Sequence, residues 1–177
     1  MLNHKKVQDI MVDISDFPHI RYWFTIKQAI EVIKTSLPRG EKNLHPMGTL
    51  VFDEQYNLVG TLALKDILKA LEPRFMRATT KAEGFQEEEK ELSLIWDSLF
   101  DKESKGLVEK SVRDSVVPVK YFVKPDDPIT KAAYLMVNQN LTFMPVLENG
   151  KKFVGVVRLT DVFDELSSTI SNAVVKE

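Results

Sequence analysis

Two aspartates, Asp66 and Asp161, lie at the same distance after a glycine, Gly60 and Gly155, and both are candidates for chemistry. An ionised carboxylate only accepts hydrogen bonds, through two oxygens, and therefore suits a vicinal diol. In the first turn of a helix the same group also stabilises the N-terminus through the macrodipole. Arg158 and Thr160 stand beside Asp161. A guanidinium pairs bidentately with a phosphate, or forms a salt bridge to Asp161 or Asp164. A hydroxyl at the start of a helix serves a ligand or a local backbone partner. Catalytic sets are missing. His4, His19 and His45 are scattered over the first quarter without metal-ligand spacing or a nucleophile pattern. With no cysteine, disulfides, thiolate metal sites and a cysteine nucleophile are excluded. Neither a phosphate-binding glycine loop, a dinucleotide fingerprint nor an aromatic-basic nucleic-acid motif occurs. The chain reads as a binding protein, not an enzyme.

The elements that must position these residues occur twice. Leu50 to Leu68 matches Pro145 to Phe163 without a gap, so that Asp53 falls on Glu148, Gly60 on Gly155 and Asp66 on Asp161, at a constant offset of 95. Upstream, Val7 to Val12 resembles Val112 to Val117 at an offset of 105, and Thr25 to Ile30 resembles Pro128 to Ala133 at 103. The first copy therefore carries extra residues, placed in an enlarged loop over 36–47 that holds Pro38, Gly40 and Pro46. Such internal repetition fixes architecture before any motif is weighed. Each copy reads as a lead-in segment, helix, strand, turn, strand and helix.

Periodicity agrees. Ile26, Ala29, Ile30 and Ile33 fall at helical spacing, as do Ile129, Ala132, Ala133 and Met136. Thr25 and Asp127 are the expected N-caps. Thr49 to Phe52 and Phe143 to Leu147 are short, apolar and β-rich. Asn149-Gly150 is a two-residue turn signal, and Gln55-Tyr56-Asn57 is a weaker turn in the same place. Between the copies, Phe85 to Phe100 reads as a helix with Leu92, Ile95, Trp96 and Leu99 on one stripe, packed on the chain itself or docked on a partner. The expected boundaries are 1–73, a helical linker over 74–110, 111–168, and a small polar tail over 169–177 that frays.

Composition is that of a globular protein, with 177 residues, 44% hydrophobic, 28% charged and a net charge of −2. No basic field draws it to nucleic acid, and no apolar run approaches the roughly 20 residues of a bilayer span. Polar residues interrupt Met1 to Ile10, unlike a signal peptide. The expected location is cytoplasmic.

The doubled block, with its glycine and aspartate at the last strand-to-helix turn, resembles the cystathionine-β-synthase-type (CBS) domain. A tandem pair of these domains is often called a Bateman module. The resemblance spans about 7–71 and 112–166, and Phe143-Met144-Pro145-Val146 matches the family's hydrophobic-Pro-Val strand. It implies an α/β (α+β) fold of two β-α-β-β-α repeats packed about a pseudo-twofold axis, with the helical linker as an addition. It also implies two clefts that bind adenosine-containing ligands (AMP, ADP, ATP or S-adenosylmethionine), no required cofactor, a disc-like homodimer, and relay to an effector protein.

Carried onto this sequence, the resemblance gives Asp66 and Asp161 the two ribose hydroxyls. Met144, Pro145 and Val146 line an adenine pocket, and Thr49, Leu50 and Val51 are their first-copy equivalents. Tyr22-Trp23-Phe24 and Phe122-Val123-Lys124 edge the clefts, so Val123 joins the candidate set. Where the family has Ser or Thr three residues after the glycine, this chain has Ala63 and Arg158. Ala63 offers a phosphate nothing, so the better site is expected to hold Asp161, Arg158 and Thr160. The alternatives are a dimeric scaffold that binds no ligand, and an interaction module acting through the linker helix.

Overall fold

The computed structural model describes residues 5–36, 47–71 and 104–174. The Phe85–Phe100 helix, nearly all of the loop over 36–47, His4 and His45 lie outside the described residues.

In the first copy, β1 (His19–Arg21) runs parallel to β2 (Gly48–Phe52), and β2 pairs antiparallel with β3 (Leu58–Ala63). Helix α1 (Ile26–Thr35) joins β1 to β2, and α2 (Leu64–Ala70) follows β3 directly. Short helix α3 (Ser104–Val108) leads into the second copy. There, α4 (Ile129–Gln139), β5 (Phe143–Glu148), β6 (Lys152–Arg158) and α5 (Leu159–Val174) repeat the order. Val123 bridges Val146 in parallel, as Ile20 pairs with Val51. Even the β-bulge recurs, between Val51 and Phe52 and between Val146 and Leu147. Mixed helices and sheets in two like units confirm the α+β reading.

Local signals explain most boundaries. Thr25 caps α1 in both directions: Gln28 N–H donates to its hydroxyl at 3.2 Å and Gln28 Oε1 accepts from Thr25 N–H at 2.9 Å. Asn149 and Gly150 take φ of 52° and 70°, the left-handed pair that a two-residue hairpin requires. Tyr56 also has positive φ, held because Asp53 accepts the N–H groups of Gln55 and Asn57. Asp127 does not cap α4 as expected. Pro128 occupies the N-cap position, and the Asp127 carboxylate accepts Lys124 N–H at 2.8 Å and Lys131 Nζ at 2.7 Å. Burial pushes that carboxyl up, but the Lys124 N–H and the Lys131 ammonium outweigh it and hold it below the ordinary range. At the C-terminus the expected tail is helical as far as Val174, where α5 extends past residue 168.

The lead-in segments are exchanged. Strand β4 (Val117–Pro118), just upstream of the second copy, pairs with Gly60 and Thr61 on the edge of the first sheet. Reciprocally, Val12 bridges Val156 on β6, with N–H···O contacts of 2.8 and 3.0 Å. Buried Val7 belongs to the second copy's core, among Val123, Met136, Met144 and Val157. Buried Val112 belongs to the first copy's core, among Ile26, Val51 and Leu62. A third cluster, Phe17, Leu50, Phe52, Phe143 and Val156, joins the two sheets, with the Phe17 and Phe143 rings 5.0 Å apart. Each copy is thus completed by a strand and a core valine from the other.

Candidate functional site

Strand β3 passes into α2 without a loop, which sets Asp66 in the helix's first turn. Its Oδ2 accepts the Ala63 N–H at 2.9 Å, satisfying one of the donors that a helix start leaves open. Ala63 cannot return the bond, and the next N–H, that of Leu64, donates to the Met47 carbonyl at 3.0 Å. Beside Asp66 opens a cavity of about 260 Å³ whose walls come from both copies. Thr61, Ala63, Lys65 and Asp66 form the first wall. Phe143, Met144 and Pro145 at the start of β5, with Gln139 to Thr142 before them, form the second. Val117 to Tyr121, the exchanged segment, forms the third.

Two lysines face this space. Lys65 Nζ donates at 3.1 Å to the Asn140 carbonyl, which the left-handed Asn140 (φ 51°) presents at the end of α4. Lys120 lies on the exchanged segment, next to the half-exposed ring of Tyr121. Among the described residues no carboxylate forms a salt bridge with either lysine.

The Asp161 side is built on the same plan with different groups. Strand β6 passes into α5 as β3 does into α2, and Asp161 Oδ2 accepts the Arg158 N–H at 3.3 Å. In addition the Arg158 side chain clamps the carboxylate, Nε to Oδ2 at 2.7 Å and Nη2 to Oδ1 at 2.5 Å. Both oxygens are thereby engaged, in a pair whose side chains are only 26% and 15% exposed. The Asp161 hydrogen bonds hold the Arg158 guanidinium above its ordinary range; burial opposes this, and the charges of Asp161, Asp164 and Asp16 add to it.

The remaining candidates separate by whether they reach this cavity. Met144 and Pro145 line the cavity, but they do so opposite Asp66, not Asp161. Val123 and Val146 are fully buried in the second copy's core, and Leu50 in the intersheet cluster, so their side chains meet no cleft. Thr49 is fully buried too, with its hydroxyl spent on the Leu50 carbonyl at 3.2 Å. Thr160 is exposed on the first turn of α5. Trp23 is half exposed, packs edge-on against Tyr22 at 5.3 Å, and does not line this cavity. Sequence reasoning missed Lys65, Lys120 and Tyr121. Lys65 had a usable signal, since it stands at the position of Thr160 in the other copy; Lys120 and Tyr121 had none.

Among the described residues there is no group of three His, Cys, Asp or Glu side chains that would hold a metal ion. No helix among them is long and apolar enough to cross a membrane.

Comparison with known proteins agrees with the fold. The family model for the CBS domain matches residues 112–168. No curated protein matches the chain by sequence. Among solved structures, CBSX2 in complex with AMP is similar over 93% of this chain and 97% of its own, at 18% identity and a TM-score of 0.61. A CBS domain-containing protein of unknown function from Bacillus anthracis covers 93% and 94%, at 16% identity and a TM-score of 0.64. The cytosolic domain of the Mg2+ channel MgtE in complex with ATP is similar over 90% of this chain and 48% of its own, at 19% identity and a TM-score of 0.56. The chain has the fold of a CBS-domain pair, and its residues 112–168 match the CBS-domain family model.

Proposed function

We propose that this chain is a regulatory module that binds an adenosine-containing ligand in the Asp66 cleft and signals occupancy to a partner protein. The observation that carries this reading is that the cleft's walls come from both copies, with a carboxylate on one and an apolar strand start on the other. The Asp66 carboxylate accepts the paired ribose hydroxyls, and Met144 and Pro145 provide an apolar wall for a base. The similarity to structures holding AMP and ATP supports the same ligand class. A ligand that touches both copies favours the arrangement in which both walls fit it, and it shifts that equilibrium only by its differential affinity. No catalytic set is needed for this role.

Calorimetric titration with AMP, ADP, ATP and S-adenosylmethionine tests the reading. At least one should bind, and Asp66→Ala should weaken it tenfold or more, since two charge-assisted hydrogen bonds of about 1.5 kcal/mol each are removed. Binding that survives Asp66→Ala unchanged would rule out this cleft.

The proposed assembly is a homodimer. Leu68 on α2 and Phe163 on α5 occupy the same position in the two copies, and both are about two-thirds exposed, as is Tyr134 on α4, where Val137 is 74% exposed. Large apolar side chains left exposed on helices are suited to burial against a second copy. Sedimentation equilibrium should give the mass of two chains; a mass of 20.3 kDa would remove the dimer from this reading.

A further inference from the structure

The two strand-to-helix turns share one backbone plan yet carry opposite charge. Arg158 stands where Ala63 does, and Thr160 where Lys65 does. Asp16, on the exchanged segment that reaches β6, lies close enough for its charge to act on Arg158. The surroundings of Asp161 thus gather Asp16 and Asp164 about a single arginine, and that arginine is already committed. Around Asp66, by contrast, Lys65 and Lys120 line the cavity and no arginine occupies the carboxylate.

We infer that Arg158 acts as an internal plug. With three hydrogen bonds from Arg158, two on Oδ2 and one on Oδ1, Asp161 keeps about one free lone pair where a ribose diol needs two, and the second cleft stays closed. The chain therefore takes a single ligand, in the Asp66 cleft, and that ligand is an anionic nucleotide. This rests on the reading of the Asp66 cleft given above. A ligand entering at Asp161 would have to displace a bidentate, partly buried ion pair. It would also bring its phosphates beside Asp16 and Asp164, where like charges repel. Neither cost arises at Asp66.

The first copy supplies the test substitution, Arg158→Ala, which gives the second turn the residue that the first already has. Calorimetry with ADP should show one ligand per chain for the native protein and two for Arg158→Ala. The double variant Asp66→Ala with Arg158→Ala should return to one. Arg158→Ser is the replacement should the alanine variant not fold, as judged by circular dichroism and thermal melting. Two ligands on the native chain would overturn the inference. So would a folded Arg158→Ala protein that still binds one, or one that binds none, the latter making Arg158 a ligand contact. If the native chain binds no nucleotide, the Asp66 reading fails by itself. A site gained in Arg158→Ala would then still establish the plug, and no gain would end it.

Discussion

Gly60→Ala should be among the most damaging single-methyl additions to this protein, lowering its stability by about 3 kcal/mol, at the upper end of overpacking costs. At an unconstrained strand position the sign would be opposite: alanine restricts the unfolded chain and typically adds about 0.4–1 kcal/mol. Gly60 is not free in this sense. A methyl there would run into the Val117 carbonyl oxygen, closer than any real contact, and would stand 2.6 Å from Val116 Cγ1. The obstacle is the backbone of β4, which has no rotamer with which to yield. Relief requires β4 to lift off the edge of the first sheet, breaking its pairing with Gly60 and Thr61 and pulling at Val112, fully buried a few residues upstream.

Gly155 offers an internal comparison. Its added methyl would meet the Val12 oxygen at 2.9 Å and Met11 Sδ at 3.2 Å. The approach is looser and part of it is a flexible thioether, so Gly155→Ala should cost clearly less, about 1 kcal/mol. For a chain of this length the two variants should differ in melting temperature by about 4–8 °C, at 2–4 °C per kcal/mol. Thermal melts of the two variants beside the native protein are sufficient. A Gly60→Ala protein as stable as the native one would mean that β4 does not cross the sheet at that point.

What the sequence revealed, and what it concealed, follows from the range of the forces involved. Thr25 with Gln28 and Asn149 with Gly150 are local devices: the residues that form the cap and the turn are neighbours in the chain, and their types suffice. The duplication exposed the fold because two copies in register repeat the same sequence of short-range choices. Repetition states which segments are alike, however, and not which ones touch. Val7 and Val112 look like parts of the copies they precede, and only packing shows that each completes the other. The same gap hides which groups share a cavity. The resemblance puts Met144 and Pro145 at an adenine pocket, and only packing shows that the aspartate across from them is Asp66. Arg158 was legible as two alternatives, a phosphate clamp or a salt bridge to Asp161. Distances of 2.7 and 2.5 Å identify the salt bridge. Lys120 had no pattern to announce it, since an exposed lysine on an irregular segment is the commonest of surface residues.

That exchange leads to the second large effect. Val7→Asp should unfold the second copy first, although residue 7 lies at the other end of the chain. Val7 has no exposed surface, and its neighbours are Val123, Ala132, Met136, Met144 and Val157, all apolar. Losing the valine's burial forfeits about 1.5–3 kcal/mol, and an unpaired carboxylate in its place costs several more. The total rivals the whole stability of a typical domain, about 5–15 kcal/mol. The backbone anchors of this segment would go with it: Val7 N–H to the Asp127 carbonyl at 2.9 Å, Gln8 N–H to the Pro125 carbonyl at 3.0 Å, and the Val12–Val156 bridge on the edge of β6. Hydrogen exchange resolves where the damage falls. In Val7→Asp, protection should collapse in α4, β5 and β6 and persist longer in β2 and β3. Val112→Asp should show the reverse, because Val112 sits among Ile26, Val51 and Leu62. If each variant instead loosened the copy that follows it in sequence, the lead-in segments would not be exchanged, and the Asp66 cleft, whose third wall is one of them, would lose its structural basis.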